Sequence, residues 1–261
     1  MGNEITEKEC IVAFIDILGF SEIMNSKDVE FRLKVINLLE NISQIYSSSY
    51  EVNIQDFGGG RIISHLPEVS TFSDNIVISI PIIFEASTLG FNNDLSSFIT
   101  AVFCKIVSII WEGLHLGIIF RGAITKGRLY HNKNIVAGSS LVHAVEMEKN
   151  TKYPRIEIDR DVINSIDDNG KKIIDELTYD AVIKKVNDKF YLNSFAWHNG
   201  VWRDYFYLRG EKQSTEKIKI SIEKIKLNID KQIKLLNGNP KEKWVWLKRE
   251  FYEEQEKWNL I

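Results

Sequence analysis

Cysteine is nearly missing from this chain, and no apolar run is long enough to span a bilayer. Cys10 and Cys104 are the only cysteines in 261 residues. They are too few and too far apart to read as a disulfide framework or a zinc site. The five histidines, at 65, 115, 131, 143 and 198, include no metal-spaced pair such as HExxH. The longest apolar stretches, Ile11–Ile17 and Ile106–Trp111, are bounded by charge and fall far short of a membrane span. The opening MGNEITEKEC lacks the apolar core of a signal peptide. Gly2 and Thr6 formally match a myristoylation pattern, a match short enough for chance to explain. The expectation is therefore a cytoplasmic protein with no stable membrane insertion. A large excess of one charge is also lacking: 33 Lys+Arg stand against 36 Asp+Glu, a net −3, which argues against a bulk nucleic-acid binder.

What is present is enough to build a core. An apolar fraction of 44% over this length supports one large domain or two small ones. Ile11-Val-Ala-Phe-Ile-Asp-Ile17 is β-branched, aromatic and continuous, as a buried central strand would be, and Gly19 ends it. From Asp28 to Tyr46 apolar residues recur at helical spacing, with Ser26 read as the N-cap. Segments 61–66 and 69–80 read as strands, the second interrupted by a Ser73-Asp74-Asn75 turn. Asp94 starts a helix running to about Leu116. Ile118–Ile124 reads as a strand, Lys126-Gly127 as a turn, and Arg128–Tyr130 as a second short strand. A helix over Ser140–Lys149 and a strand over Arg155–Asp159 follow. Helices crossing one face of a sheet in this order make an α+β fold, a ferredoxin-like or palm-type βαββαβ core. The last fifty residues differ: Ile218, Ile222, Ile225, Ile229 and Ile233 stripe a Lys-rich helix that Gly238-Asn-Pro240 stops, before a second helix carrying Trp244, Leu247, Phe251 and Trp258. A packing or dimerisation arm is the favoured reading of this hairpin, over a basic membrane-surface helix. The division is a domain over 1–205 and an arm over 206–261.

Chemistry concentrates around Asp16. A carboxylate within an apolar strand loses solvation unless something compensates, so Asp16 is either a metal ligand or a strand-end aspartate bonded to backbone amides. Asp74 lies in the Ser-Asp-Asn turn, as a second ligand or as ordinary turn chemistry. Converging aspartates would repel unless a cation sat between them, and a hard divalent ion fits such oxygens. Gly19-Phe20-Ser21 can bring backbone amides close to a phosphate, or Gly19 simply ends the strand. Gly58-Gly-Gly60 lacks the spacing of a phosphate loop and reads as a flexible loop. Arg121, within Ile118-Ile-Phe-Arg-Gly-Ala-Ile124, either grips phosphate oxygens or faces solvent. For Glu146 and Glu148 a solvated or ion-paired helix face is the default.

The motifs AFIDILGF (13–20), TFSDNIVIS (71–79), FRGAITKG (120–127) and GSSLVHAVEMEK (138–149) together resemble the class III nucleotidyl cyclases. They look closest to the Pycsar-type pyrimidine nucleotide cyclases of bacterial anti-phage defence, as do PRIEID (154–159) and KWVWLKREF (243–251). The resemblance implies that Asp16 and Asp74 bind two Mg2+ or Mn2+ ions, with the Ile17 carbonyl completing one shell. It implies that Ile17, Leu18, Gly19, Phe20 and Ser21 wrap a triphosphate, with Asn75 beside them. It further implies conversion of UTP or CTP to a 3′,5′-cyclic nucleotide, a homodimer with sites at the interface, and a separate cyclic-nucleotide-responsive effector. One departure stands out. Where related cyclases carry an Asn and an Arg on the helix after the second glycine motif, this chain has Val142 and Glu146, and Arg121 is the candidate replacement cation. The adenine-selecting Lys and Asp also lack counterparts. A catalytically inactive nucleotide sensor or adaptor, and an adenylyl or guanylyl cyclase, remain the alternatives.

Overall fold

A computed structural model describes residues 6–48, 67–82, 95–132, 134–166, 181–197 and 199–258. The elements run β1 (Lys8–Ile17), α1 (Phe20–Met24), α2 (Val29–Ser48), β2 (Glu68–Phe72), β3 (Asn75–Pro81), α3 (Leu95–Leu116), β4 (Phe120–His131), β5 (Val136–Ala137), α4 (Ser139–Lys149), β6 (Ile156–Ile158), α5 (Arg160–Ile163), β7 (Ile183–Val186), β8 (Lys189–Leu192), α6 (Asn199–Leu208), α7 (Thr215–Leu235) and α8 (Gly238–Trp258). The fold is α+β, built on one open mixed sheet in the order β2-β3-β1-β4-β6-β8-β7, with β5 paired to β4. All neighbours are antiparallel except β4 and β6, whose connection carries α4.

β1 is buried on both faces, which explains its unbroken apolar run. Its odd residues Ile11, Ala13, Ile15 and Ile17 enter the main core with Val35, Leu38 and Ile42 of α2 and the apolar face of α3. Its even residues Cys10, Val12 and Phe14 pack with Val77, Ala123, Leu129 and Ala144 beneath α4. This two-residue alternation places Asp16 on the α4 face. Gly122 lets β1 and β4 approach: a Cβ there would lie 2.3 Å from the Phe14 carbonyl oxygen. The arm helices share the main core, contributing Ile218, Ile222, Ile225 and Ile229 from α7 and Trp244, Leu247, Phe251 and Trp258 from α8. Trp111 of α3 packs against both α6 and α8, with its ring 4.5 Å from that of Trp202 and 5.9 Å from that of Trp258.

Several local expectations change. No turn forms at Lys126-Gly127: β1 begins at Lys8, and Cys10 and Ile11 pair with Gly127 and Lys126, so one long β4 runs straight through. Asp28 caps α2 rather than Ser26, accepting the Phe31 amide at 2.9 Å on Oδ1. Gly238-Asn-Pro240 forms the first turn of α8. The strand pair β7–β8 and helix α6 had no counterpart in the sequence reading. The strand expected over 61–66, the Gly58–Gly60 loop and the Asp94 cap lie outside the described residues.

Candidate functional site: a carboxylate cluster at the end of the central strand

Asp16 lies one residue before the end of β1, paired with Arg121 of β4 on one side and Asn75 of β3 on the other. Directly opposed residues of antiparallel strands project from the same face, so register alone brings the three side chains together under α4. Arg121 Nη2 stands 3.6 Å from Asp16 Oδ2 and forms an ion pair with Glu148 Oε1 of α4. Arg121 Nη1 donates to the Thr151 carbonyl at 3.3 Å, while its Nε is buried without a hydrogen-bond partner among the described residues. Glu148 is only 5% exposed, so its charge depends on Arg121 for compensation.

Asp74 reaches the same place from the β2–β3 turn, where Ser73 has the left-handed φ of 58°. Its carbonyl accepts the Ile17 amide at 3.0 Å, and its Oδ1 accepts Asn75 Nδ2 at 2.9 Å. Burial pushes the Asp16 carboxyl up to about 6, and the Glu148 and Asp74 carboxylates push the same way against the pull of Arg121. A side-chain hydrogen bond with Asp74 adds to the rise. The backbone places the two aspartates side by side, since Asp16 lies opposite Asn75 and the next amide, that of Ile17, bonds the Asp74 carbonyl. Beyond them, the Leu18 amide bonds the Ile119 carbonyl at 3.0 Å, and Gly19 turns the chain at φ 78° into α1. Ile17 is buried in the core, Phe20 packs against it, and Ser21 is exposed.

The cluster therefore unites Asp16, Asp74, Asn75 and Arg121, with the Ile17–Ser21 turn at its edge. Among the described residues no group of three or more His, Cys, Asp and Glu is disposed to hold a metal. Glu148, the third nearby carboxylate, is committed to Arg121. Two facing carboxylates and a backbone carbonyl are still an oxygen-only donor set with excess negative charge, which suits a hard divalent cation.

Two further residues join the cluster: Glu148, weighed in the sequence only as part of a solvated or ion-paired helix face, and Lys243, not singled out there. Glu148 belongs to the inner face of α4, whereas Val142, 59% exposed, and Glu146 lie on its outer face. The four-residue spacing from Ala144 to Glu148 was the available signal. Lys243 comes from α8, whose start is held over segment 151–155. Lys152 Nζ lies 3.9 Å from Glu242 Oε2, and the Tyr153 and Trp246 rings stack at 5.1 Å. That segment is in turn bonded to β4, since the Gly122 amide donates to the Arg155 carbonyl at 3.2 Å. Burial lowers the Lys243 ammonium pKa first and nearby Arg121 next, against the opposing pull of Asp16, Glu148 and Glu22. The lysine opens the KWVWLKREF segment (243–251), which the sequence reading noted as a motif without assigning Lys243 to the site.

No protein-family profile matches the chain, and no curated protein matches it. Among solved structures, a class III adenylyl cyclase-like ATP-binding protein from Pseudomonas aeruginosa aligns over 94% of this chain at 10% identity, with a TM-score of 0.35. The chain spans 44% of that protein's length. Among the described residues no helix is long and apolar enough to cross a membrane.

Proposed function

We propose that this chain is a metal-dependent nucleotidyl cyclase that converts UTP, or CTP, to the 3′,5′-cyclic nucleotide and pyrophosphate. The convergence of Asp16 and Asp74 at the end of β1 carries this reading. The strand order β2-β3-β1-β4 supports it as well. With α2 and α3 in the connections, that order is compatible with a ferredoxin-like, palm-type core around the two aspartates.

Asp16, Asp74 and the Ile17 carbonyl would hold Mg2+ or Mn2+. The bound ions would supply Lewis-acid activation of the ribose 3′-hydroxyl and neutralise charge on the polyphosphate. The protein's own part is positioning. The turn from Ile17 to Ser21 offers backbone amides to the triphosphate, with Gly19 in the left-handed conformation that bends the chain there. Asn75 fixes the Asp74 carboxylate through its amide. Arg121, held by Glu148 and Thr151, presents a fixed positive charge beside Asp16 and the developing charge at phosphorus. The 3′-oxygen attacks the α-phosphorus in line, and the bond to the β-phosphate oxygen breaks. The exposed outer face of α4, with Val142 and Glu146, is the surface we assign to a second copy in a homodimer. A cyclic pyrimidine messenger in anti-phage defence, read by a separate effector, is the biological role this proposal carries.

One observation favours a second reading. Arg121 is already shared by two carboxylates, and neither Val142 nor Glu146 supplies a cation. A nucleotide-binding but inactive sensor or adaptor would look the same. One experiment separates these readings: incubation of the purified chain with each of the four nucleoside triphosphates and Mn2+, beside Asp16→Ala and Asp74→Ala. A cyclic pyrimidine product lost in both variants is the expected result. A cyclic purine product would make the chain an adenylyl or guanylyl cyclase. Binding without turnover would establish the sensor, and product unchanged in both variants would overturn the site.

A further inference from the structure

A cleft of about 150 Å³ lies where the strand pair β7–β8 meets α8, with Arg155, Lys184, Tyr191, Trp246, Leu247 and Glu250 in its wall. Asp16, Asp74 and Arg121 take no part in it. The charges in this wall are unevenly matched. Lys184 Nζ is 3.1 Å from Glu250 Oε2 and 2.9 Å from Glu254 Oε1, so the fold itself neutralises it.

Arg155 is different. Its guanidinium carbon sits 3.9 Å from the centre of the Tyr191 ring and 5.8 Å from that of Trp246. Its Nε is buried without a hydrogen-bond partner, and its side chain makes no ion pair among the described residues. A guanidinium flanked by aromatic rings keeps its planar fork free for a coplanar acceptor, and a buried donor left unmet is costly. The Nε itself is closed off from the cleft, so an incoming carboxylate would pair with the terminal guanidinium nitrogens. The size of the space narrows the choice further, since a cavity of about 150 Å³ accepts a single benzene-sized ring.

The geometry points to a second ligand site, in which this cleft takes a small planar carboxylate on one six-membered ring, with the carboxylate on Arg155 and the ring against Trp246. The ring comes from either a pyrimidine carboxylate or a benzenoid one, because the wall requires only flatness, size and charge.

Isothermal titration of the full chain with orotate, with benzoate and with naphthalene-2-carboxylate tests this site without reference to any enzymatic activity. Failure here therefore leaves the cyclase proposal untouched, and the reverse also holds. The expected result is saturable binding of orotate or benzoate with a Kd on the order of 0.1–1 mM, in line with the free energy so few atoms can supply. The stronger of the two identifies the source of the ring. The bicyclic naphthoate should bind at least about tenfold more weakly, as a cleft of single-ring size requires. Arg155→Gln should weaken the preferred probe about tenfold by removing the charged fork. Arg155→Lys, which retains charge but not the planar fork, should also weaken it, and serves if the glutamine variant does not fold. Absence of saturation by either monocyclic probe up to about 10 mM would overturn the site. Equal binding by wild type and a folded Arg155 variant, or tightest binding by the naphthoate, would overturn it too.

Discussion

Arg121, partly buried, and Glu148, buried, form an ion pair that joins β4 to α4 beside Asp16. The pair fixes which side chains face the candidate site. It turns Glu148 inward, leaves Val142 and Glu146 on the outside, and holds a positive charge against a strand end rich in carboxylates.

Breaking that pair from one side should be expensive. Glu148→Leu leaves Arg121 with Asp16 as its remaining carboxylate, and Arg121→Met leaves Asp16 and Glu148 uncompensated. Each single substitution should cost about 3–5 kcal/mol, and the double variant less than their sum. Urea unfolding of the four proteins in the cycle measures the coupling.

Asp16→Asn should separate stability from function. Its carboxyl is pushed up to about 6, so carrying a charge at pH 7.5 destabilises the fold. The amide removes that charge and should raise stability by about 1–3 kcal/mol, or roughly 2–12 °C in Tm. Nucleotide turnover should fall at least about a hundredfold, as loss of a metal-holding carboxylate requires. Thermal denaturation and the cyclase assay, run on the same preparation, check both halves.

His131 supplies a pH signature unrelated to the carboxylates. Its ring nitrogens lie 2.9 Å from Ser70 Oγ and 2.7 Å from Ser79 Oγ, and burial lowers its pKa to about 4. The folded state therefore prefers neutral imidazole. That stabilisation is fully present above the ordinary pKa of about 6.5 and is lost as pH falls through about 4. Unfolding free energies of wild type and His131→Asn at intervals from pH 7.5 to pH 4 should converge on acidification, by on the order of 1–3 kcal/mol.

Gly122→Ala tests the close contact of β1 with β4. The added methyl meets the Phe14 carbonyl oxygen, and strands that must part there should lose about 1–3 kcal/mol. Because Gly122 follows Arg121, the substitution should also reduce nucleotide turnover. Urea unfolding and the four-nucleotide assay give the two readouts.

Trp111→Ala should show whether α6 and α8 are integral to the core. Its ring touches those of Trp202 and Trp258, and its removal should cost about 3–5 kcal/mol. A single cooperative unfolding transition at lower urea is the expected outcome. A separate early transition would mean that the arm melts independently.

Much of this arrangement is present in local pattern. The unbroken apolar run of β1 requires cover on both faces, so a central strand with Asp16 near its end follows from residues 11–17 alone. The 3.6-residue periodicity of α2, α3, α4 and α7, and the Ser73-Asp74 turn, are equally local. β7 and β8 were not legible, because IKKV and KFYL are short and carry charge on an edge hairpin. The continuity of β4 was hidden because Lys126-Gly127 reads locally as a turn, and its pairing with Ile11 and Cys10 makes it part of one strand.

The amino-acid order alone therefore set the elements near Asp16, since burial, turn chemistry and helical periodicity act over a few neighbouring residues. Which charges meet was decided elsewhere. Asp16, Asp74, Arg121, Glu148 and Lys243 are separated by tens of residues, and their grouping depends on strand register, on the rotation of α4 and on the return of α8 across residues 151–155. The same is true of Arg155, whose guanidinium, without an ion pair among the described residues, is framed only once Tyr191 and Trp246 come to lie beside it. Long-range pairing energies fix those relationships, and no local pattern encodes them.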